Sequence, residues 1–92
     1  MSSRKDIFFM KDALSSYITK EREKLLMSQE SFAVVLGVDA RTVRNWENGG
    51  NISPSIVPDL VEALEADGNK FRELYARRIL PDEYLSKRLN NA

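Results

Sequence analysis

Two short segments with apolar residues at helical spacing, separated by a single glycine, constrain the fold of this chain most. The first spans 29–36, and Ser28 before it is a residue type that caps helix N-termini. Gly37 can adopt the left-handed conformation that ends a helix, and the apolar pattern resumes directly after it. Asp39 is the natural N-cap of a further helix, which runs to about Asn48. The pattern predicts two helices joined by a tight turn.

The rest of the chain also carries apolar residues at helical spacing, and no stretch alternates with period two long enough to predict a strand. A first helix can begin as early as Asp6. A fourth helix has Pro58 in its first turn and is broken at Asp67-Gly68. A fifth helix is ended by Pro81. The residues predicted to face inward are Leu14, Tyr17, Ile18 and Leu25 in the first helix, Leu60, Val61 and Leu64 in the fourth, Phe71, Leu74, Tyr75 and Ile79 in the fifth, and Tyr84, Leu85 and Leu89 in a short sixth.

The composition of the 92 residues narrows the function classes. The chain has no cysteine and no histidine, so we expect no metal, no cofactor and no enzymatic activity. The apolar run over 7–10 is far shorter than the roughly 20 residues of a membrane span, which favours a cytoplasmic protein that does not contact a membrane. The formal net charge of zero argues against a protein held to nucleic acid by bulk charge.

The two helices around Gly37 have an inner and an outer face. The residues predicted to pack between them are Phe32, Ala33, Leu36, Val38, Val43 and Trp46. The residues predicted to point outward from the second of them are Ala40, Arg41, Arg44, Asn45 and Asn48. Arginine matches guanine O6 and N7, asparagine matches adenine N6 and N7, and a methyl group suits thymine. This outer face therefore predicts base readout in the major groove of DNA.

The segment from Ser28 to Pro54 resembles the Cro/phage-repressor helix-turn-helix family, of the xenobiotic-response-element type. The matching positions are Arg22, Ser28-Gln29, Phe32-Ala33, Leu36-Gly37-Val38, Thr42-Val43, Trp46-Glu47, Gly49, Pro54 and Leu60 to Leu64. The resemblance covers about residues 13–66, and the block that ends in Trp-Glu-Asn-Gly is its more specific part. It implies an all-α, five-to-six-helix lambda-repressor-like DNA-binding domain with the helix-turn-helix at helices 2 and 3, in a protein of bacterial or phage origin.

The family resemblance also implies roles for individual residues. Gln29 contacts a phosphate and braces the recognition helix, the early positions of that helix touch base edges, and the turn over 48–51 lies on the duplex backbone. An ion pair between Arg22 and Glu47 ties the first helix to the third. The residues expected to bind DNA are Ser28, Gln29, Ala40, Arg41, Thr42, Arg44, Asn45, Asn48 and Asn51.

The loop after the recognition helix departs from the family pattern. That loop usually supplies a lysine or arginine, whereas residues 49–53 supply none. We therefore expect phosphate contacts from backbone amides of the loop and from the side chains of Asn48 and Asn51. The positive N-terminal ends of the second and fourth helices are further candidates for holding phosphates.

Several residues also have a purely structural interpretation. Trp46 is expected in the core rather than stacked on bases, as are Phe32 and Val43. Arg41 and Arg44 could be solvated charges on an exposed face, and Gln29 could be a local cap.

Three function classes compete. The leading hypothesis is a transcriptional repressor or related regulator that binds, as a homodimer, an operator with half-sites about one helical turn apart. The alternative is an antitoxin or protein-interaction module on the same scaffold, with a protein partner bound through residues 1–10 or 80–92. An enzyme is the least favoured, because the carboxylates of Asp59, Glu62 and Asp82 are spread as surface charges.

The whole chain is interpreted as a single domain, 1–92, with an N-terminal extension over 1–12 and C-terminal helices over 69–92. The side chains of residues 7–10 cannot all lie on one helix face. Part of this cluster is therefore expected to be covered by a C-terminal helix or by a second protomer.

Overall fold

The computed structural model describes residues 12–79, and in this part of the chain it contains helices and no strand. The helices are α1 (Ala13–Lys24), α2 (Gln29–Leu36), α3 (Ala40–Glu47), α4 (Val57–Leu64) and α5 (Gly68–Ile79), with a 3-10 turn at Pro54–Ile56 before α4. The predicted all-α class is confirmed. Between residues 12 and 79, no helix is long and apolar enough to cross a membrane. The predicted sixth helix and the cluster at 7–10 lie outside the described residues.

Helix α1 begins where Asp12 caps it. The backbone of Asp12 is extended, and its carboxylate accepts hydrogen bonds from the Ser15 amide at 2.9 Å and the Ser15 hydroxyl at 2.8 Å. A helix that continues from Asp6 is therefore wrong, because an extended residue interrupts it. The apolar pattern continues across Asp12 and therefore does not indicate that the helix begins there. Leu14 and Ile18 of α1 are buried in the core.

The turn between α2 and α3 forms as its residue types predict. The Ser28 hydroxyl accepts a hydrogen bond from the Ser31 amide at 3.0 Å. Gly37 takes the left-handed conformation, with φ at 74°, and the Val38 amide then donates to the Ala33 carbonyl at 3.0 Å. These bonds satisfy backbone groups at both ends of α2, so that an eight-residue helix has defined limits.

Asp39 holds the N-cap position of α3, but not through its side chain. Its carboxylate makes no capping hydrogen bond, and its carbonyl oxygen accepts from the amides of Thr42 at 3.0 Å and Val43 at 3.3 Å. The backbone alone therefore starts α3.

One hydrophobic core joins all five helices. Its buried members are Leu14, Ile18, Phe32, Ala33, Val43, Trp46, Ile52, Val57, Leu60, Leu64, Phe71 and Leu74. Tyr17 of α1 packs edge-on against Phe71 of α5, with ring centroids 6.4 Å apart. Trp46 is 5% exposed, which agrees with its assignment to the core rather than to base stacking. Helix α5 is thus an integral part of the core.

Helix α4 ends earlier than the predicted break at Asp67-Gly68. Glu65 ends α4 in the left-handed conformation, with φ at 53°. The Asp67 carboxylate then accepts hydrogen bonds from the amides of Asn69 at 2.9 Å and Lys70 at 3.2 Å. Gly68 is therefore the first residue of α5, and of the predicted pair only Asp67 lies between the two helices. Pro58 lies in the first turn of α4, where proline is tolerated.

Candidate nucleic-acid interface

A buried ion pair joins α1 to the end of α3. Arg22 Nε donates to Glu47 Oε2 at 2.6 Å, and Nη2 donates to Glu47 Oε1 at 3.0 Å. Arg22 Nη1 also donates to the carbonyl of Met27 at 2.7 Å, in the turn before α2. Arg22 is 8% exposed and Glu47 is 3% exposed. One guanidinium therefore holds three segments of the chain in a fixed arrangement.

Gln29 completes this arrangement from the start of α2. Its Nε2 donates to Glu47 Oε1 at 3.0 Å. Burial alone raises the pKa of Glu47, but the hydrogen bonds from Arg22 and Gln29 and the charge of Arg22 outweigh it and hold that pKa below its usual value. The same pairing raises the pKa of Arg22. Glu47 therefore stays ionised, and its carboxylate fixes α2 against α3.

The outer face of α3 carries polar side chains at helical spacing. Arg41, Arg44, Asn45 and Asn48 are all exposed. Arg44 Nη1 lies 4.0 Å from Glu30 Oε2, a long and solvent-exposed ion pair. Asn48 Nδ2 donates to the Arg44 carbonyl at 2.9 Å. Because Val43 and Trp46 bury the opposite face, these four side chains point away from the core together.

Two further candidate residues of α3 are less exposed than expected. Ala40 is half-buried and packs against the core rather than pointing fully outward. Thr42 is also half-buried.

The loop after α3 uses its amides within the protein. Gly49 has φ at 94°, and its amide donates to the Trp46 carbonyl at 3.3 Å. The amides of Asn48 and Gly50 both donate to the Asn45 carbonyl, at 3.2 Å and 2.7 Å. The end of α3 therefore already occupies the amides of Asn48, Gly49 and Gly50. A phosphate contact through the amides of 51–53 stays a prediction. Asn51 is exposed.

The N-terminus of α4 is likewise a poor phosphate site. The Ile56 amide donates to the Ser53 carbonyl at 3.1 Å, the Val57 amide donates to the Pro54 carbonyl, and Pro58 has no amide hydrogen. Asp59 adds a negative charge to the first turn. These features weigh against the expected phosphate contact at α4, which stays a prediction. The N-terminus of α2 also has an acidic residue in its first turn, Glu30, but Ser28 caps only the amides of Ser31 and Phe32.

The helix-turn-helix family model matches residues 18–70, which is more than half of the chain. This segment contains the Arg22–Glu47 pair, α2, α3 and the exposed face of α3. The chain belongs to the Cro/C1-type helix-turn-helix family. This is a family of DNA-binding regulatory domains and not an enzyme family, so the helix-turn-helix protein is a DNA-binding regulator. No curated protein gives a significant match.

The helix-turn-helix protein has a second ion pair that sequence reasoning missed. Arg78 Nε donates to Asp12 Oδ2 at 2.6 Å, and Nη2 donates to Asp12 Oδ1 at 2.7 Å. The hydrogen bond from Arg78 is the largest influence on the pKa of Asp12 and holds it far below its usual value, against the effect of burial. Asp12 and Arg78 are 66 positions apart, so no local sequence pattern indicates that they pair. Both also lie outside the segment that the family model matches.

Proposed function

We propose that this helix-turn-helix protein is a transcriptional repressor that binds its operator as a homodimer, with α3 in the major groove. The observation that carries the proposal is the outer face of α3, where Arg41, Arg44 and Asn45 are exposed together. The opposite face of the same helix is fixed by the buried Val43 and by the Arg22–Glu47 pair. A rigid helix with exposed arginine and asparagine side chains suits base readout.

Each side chain has a role in this proposal. Arg41 and Arg44 donate to guanine, and Asn45 recognises adenine. The half-buried Ala40 offers its methyl group to thymine only where the duplex approaches the start of α3. Thr42 is a minor contact, because it is half-buried.

The phosphate contacts belong to the two ends of the helix-turn-helix. At one end, Ser28 and Gln29 lie at the open N-terminus of α2, where the helix dipole favours an anion. At the other end, the exposed side chains of Asn48 and Asn51 follow α3. These are neutral donors, so few counterions are released on binding, and the affinity depends only weakly on salt.

The homodimer rests on exposed apolar side chains on the outside of α2. Val34 is 79% exposed and Val35 is 60% exposed, although both lie in a short helix next to the core. Beside them lies a groove of about 350 Å³, which is lined by Val35, Leu36, Asp59, Glu62 and Ala63. Apolar side chains exposed side by side are typical of protein contact surfaces.

The same surface supports a second candidate function, that of an antitoxin or protein-interaction module that also regulates transcription. In that case Val34 and Val35 would contact a different protein, and residues 1–10 or 80–92 would extend the contact. The two candidates differ in one measurable property. A repressor binds its operator without forming a complex with another protein, whereas the interaction module also forms a stable complex with its partner protein.

Selection of binding sites from random DNA duplexes tests the main proposal. We expect one preferred sequence, on which Arg44→Ala or Arg41→Ala weakens binding by about 1–3 kcal/mol and relaxes the preference at particular base pairs. Arg77→Ala is the matched control, because Arg77 is an exposed arginine of α5 that pairs with Glu73 at 2.7 Å. Equal losses on all sequences would show that Arg41 and Arg44 contact only phosphates.

The dependence of this binding on salt gives a second measure. A slope that corresponds to about ten or more neutralised phosphates would contradict an interface of mostly neutral phosphate donors.

A further inference from the structure

Helix α5 donates two hydrogen bonds to the loop that follows α3. The Tyr75 hydroxyl donates to the Ile52 carbonyl at 2.9 Å. Arg78 Nη1 donates to the Gly50 carbonyl at 2.7 Å. Ile52 is also buried in the core, at 5% exposed. Residues 50–52 are therefore held from the side of α5 as well as from the end of α3.

Arg78 is itself fixed in position. Besides its two bonds to the Asp12 carboxylate, Nη2 donates to the Ser15 hydroxyl at 2.9 Å. Ser15 is fully buried, and the side chain of Arg78 is 13% exposed. The Asp12 carboxylate is held in turn as the N-cap of α1. The guanidinium therefore cannot reorient without losing several charge-assisted bonds, and its bond to Gly50 has a fixed direction.

Gly50 lies between Arg78 and the end of α3. Its amide donates to the Asn45 carbonyl at 2.7 Å, while its own carbonyl accepts from Arg78. A Cβ atom at this position would lie 2.7 Å from the same Asn45 oxygen, so only glycine fits without a backbone shift. A movement of Arg78 would thus be transmitted directly to the last turn of α3.

We propose that Arg78 is a positioning residue for DNA binding, which sets the path of residues 50–52 relative to α3. The loop has no basic side chain of its own, so its distance from the duplex backbone depends on how the protein holds it. Asp12 and Arg78 both lie outside the segment 18–70 that matches the family model, and so this arrangement is additional to the family motif. The role of the loop at the duplex rests on the function proposed above.

The test compares Arg78→Gln with Arg77→Gln. Both variants remove one positive charge from adjacent positions of α5, but Arg77 pairs only with Glu73 on the same helix among the described residues. The first measurement is amide hydrogen exchange without DNA. We expect the Gly50 amide to exchange faster in Arg78→Gln, on the order of tenfold, as for a local opening. The Val38 amide, which caps α2, serves as the internal reference and keeps its rate.

The second measurement is affinity for the selected duplex, together with phosphate ethylation interference. We expect Arg78→Gln to bind on the order of tenfold more weakly, the equivalent of one hydrogen bond to a charged phosphate. The preference among base pairs remains, and interference is lost at the phosphates next to the loop. Arg77→Gln retains both. Tyr75→Phe removes only a hydroxyl bond to the same loop, and we expect a smaller change of the same kind if Arg78→Gln does not fold.

Each outcome decides the proposal. Unchanged exchange of the Gly50 amide would overturn it, whether or not the protein binds DNA. Faster exchange with unchanged affinity and interference would also overturn it, because the loop would then move without consequence at the duplex. Equal effects in Arg77→Gln would overturn it as well, because Arg78 would then act only through its charge. A wild-type protein that bound no duplex would contradict the proposed function instead, and the exchange experiment would still decide whether Arg78 holds the loop.

Discussion

Arg22 and Glu47 are buried together, and each depends on the other to remain charged there. The pairing lowers the pKa of Glu47 and raises that of Arg22, so both charges persist in the protein interior. The desolvation of two ions offsets much of their attraction, and such a pair adds little net stability compared with apolar residues. What it gives is a fixed geometry, since a guanidinium and a carboxylate have only one good bidentate arrangement.

We expect Arg22→Met to lower the free energy of unfolding by about 3–5 kcal/mol, because it leaves the Glu47 carboxylate buried without its cation. The double variant Arg22→Met/Glu47→Leu is expected to regain most of this loss, since it removes both charges. Urea unfolding followed by circular dichroism measures each value. Lys20→Met, an exposed lysine in the same helix, is the control and changes stability by less than about 0.5 kcal/mol. Similar losses for Arg22 and Lys20 would contradict the dependence of Glu47 on its cation.

At the scale of the helices, features that depend on neighbouring residues could be predicted from the sequence more fully than features that depend on composition or on distant residues. Ser28 and Gly37 act on their own neighbours, and so the bounds of α2 and the turn after it could be predicted from the sequence. The start of α1 could not, because apolar residues continue across Asp12 and hide its cap. The use of the loop amides by α3 was also missed, since a pair of glycines does not reveal which carbonyls their amides meet.

The two ion pairs between distant helices also differ, because one was expected from the sequence and the other was not. The expectation for Arg22 and Glu47 came from family resemblance, and the structure places the two side chains in contact. The contact of Arg78 with Asp12 lies outside the family match, and nothing in the sequence distinguishes Arg78 from the neighbouring Arg77.

The exposed valines of α2 give a prediction about association. We expect the double variant Val34→Ser/Val35→Ser to raise the dissociation constant of the proposed homodimer by at least roughly tenfold, as for loss of central apolar contacts. The fold is retained, because both side chains lie outside the core. Sedimentation equilibrium measures the association. Leu26→Ser is the matched control, since Leu26 is 93% exposed and lies in the turn before α2. A wild-type protein that bound its operator as a monomer would refute the homodimer.

Across the whole molecule, two carboxylates connect distant parts of the chain. Glu47 joins α1, α2 and α3, and Asp12 joins the start of α1 to the end of α5. The pKa of each carboxylate is lower in the folded protein than its ordinary value, so the unfolded chain binds protons more readily at acidic pH. The chain has no histidine to titrate near neutrality.

We therefore expect the free energy of unfolding to be nearly constant between about pH 5.5 and 7 and to fall as the pH drops below about 4.5. The stabilisation is present above the pKa values of the unfolded chain and is lost as the pH falls toward those of the folded protein. Urea unfolding at pH 7, 5 and 3 measures it. Asp12→Asn keeps a capping residue but not the charge, and we expect lower stability at pH 7 with a shallower loss on acidification. An increase in stability at acidic pH would contradict the assigned pKa directions.

The exposed face of α3 has a consequence for how such a protein can diversify. The side chains of Arg41, Arg44 and Asn45 contribute nothing to the buried core, and the contacts that hold α3 come from other positions of the helix. Under the proposed function, exchanging these three side chains therefore alters the preferred DNA sequence with little loss of stability. The proposed recognition residues and the residues that fold the protein thus occupy separate positions, so a few substitutions on an unchanged scaffold are expected to give a new target site.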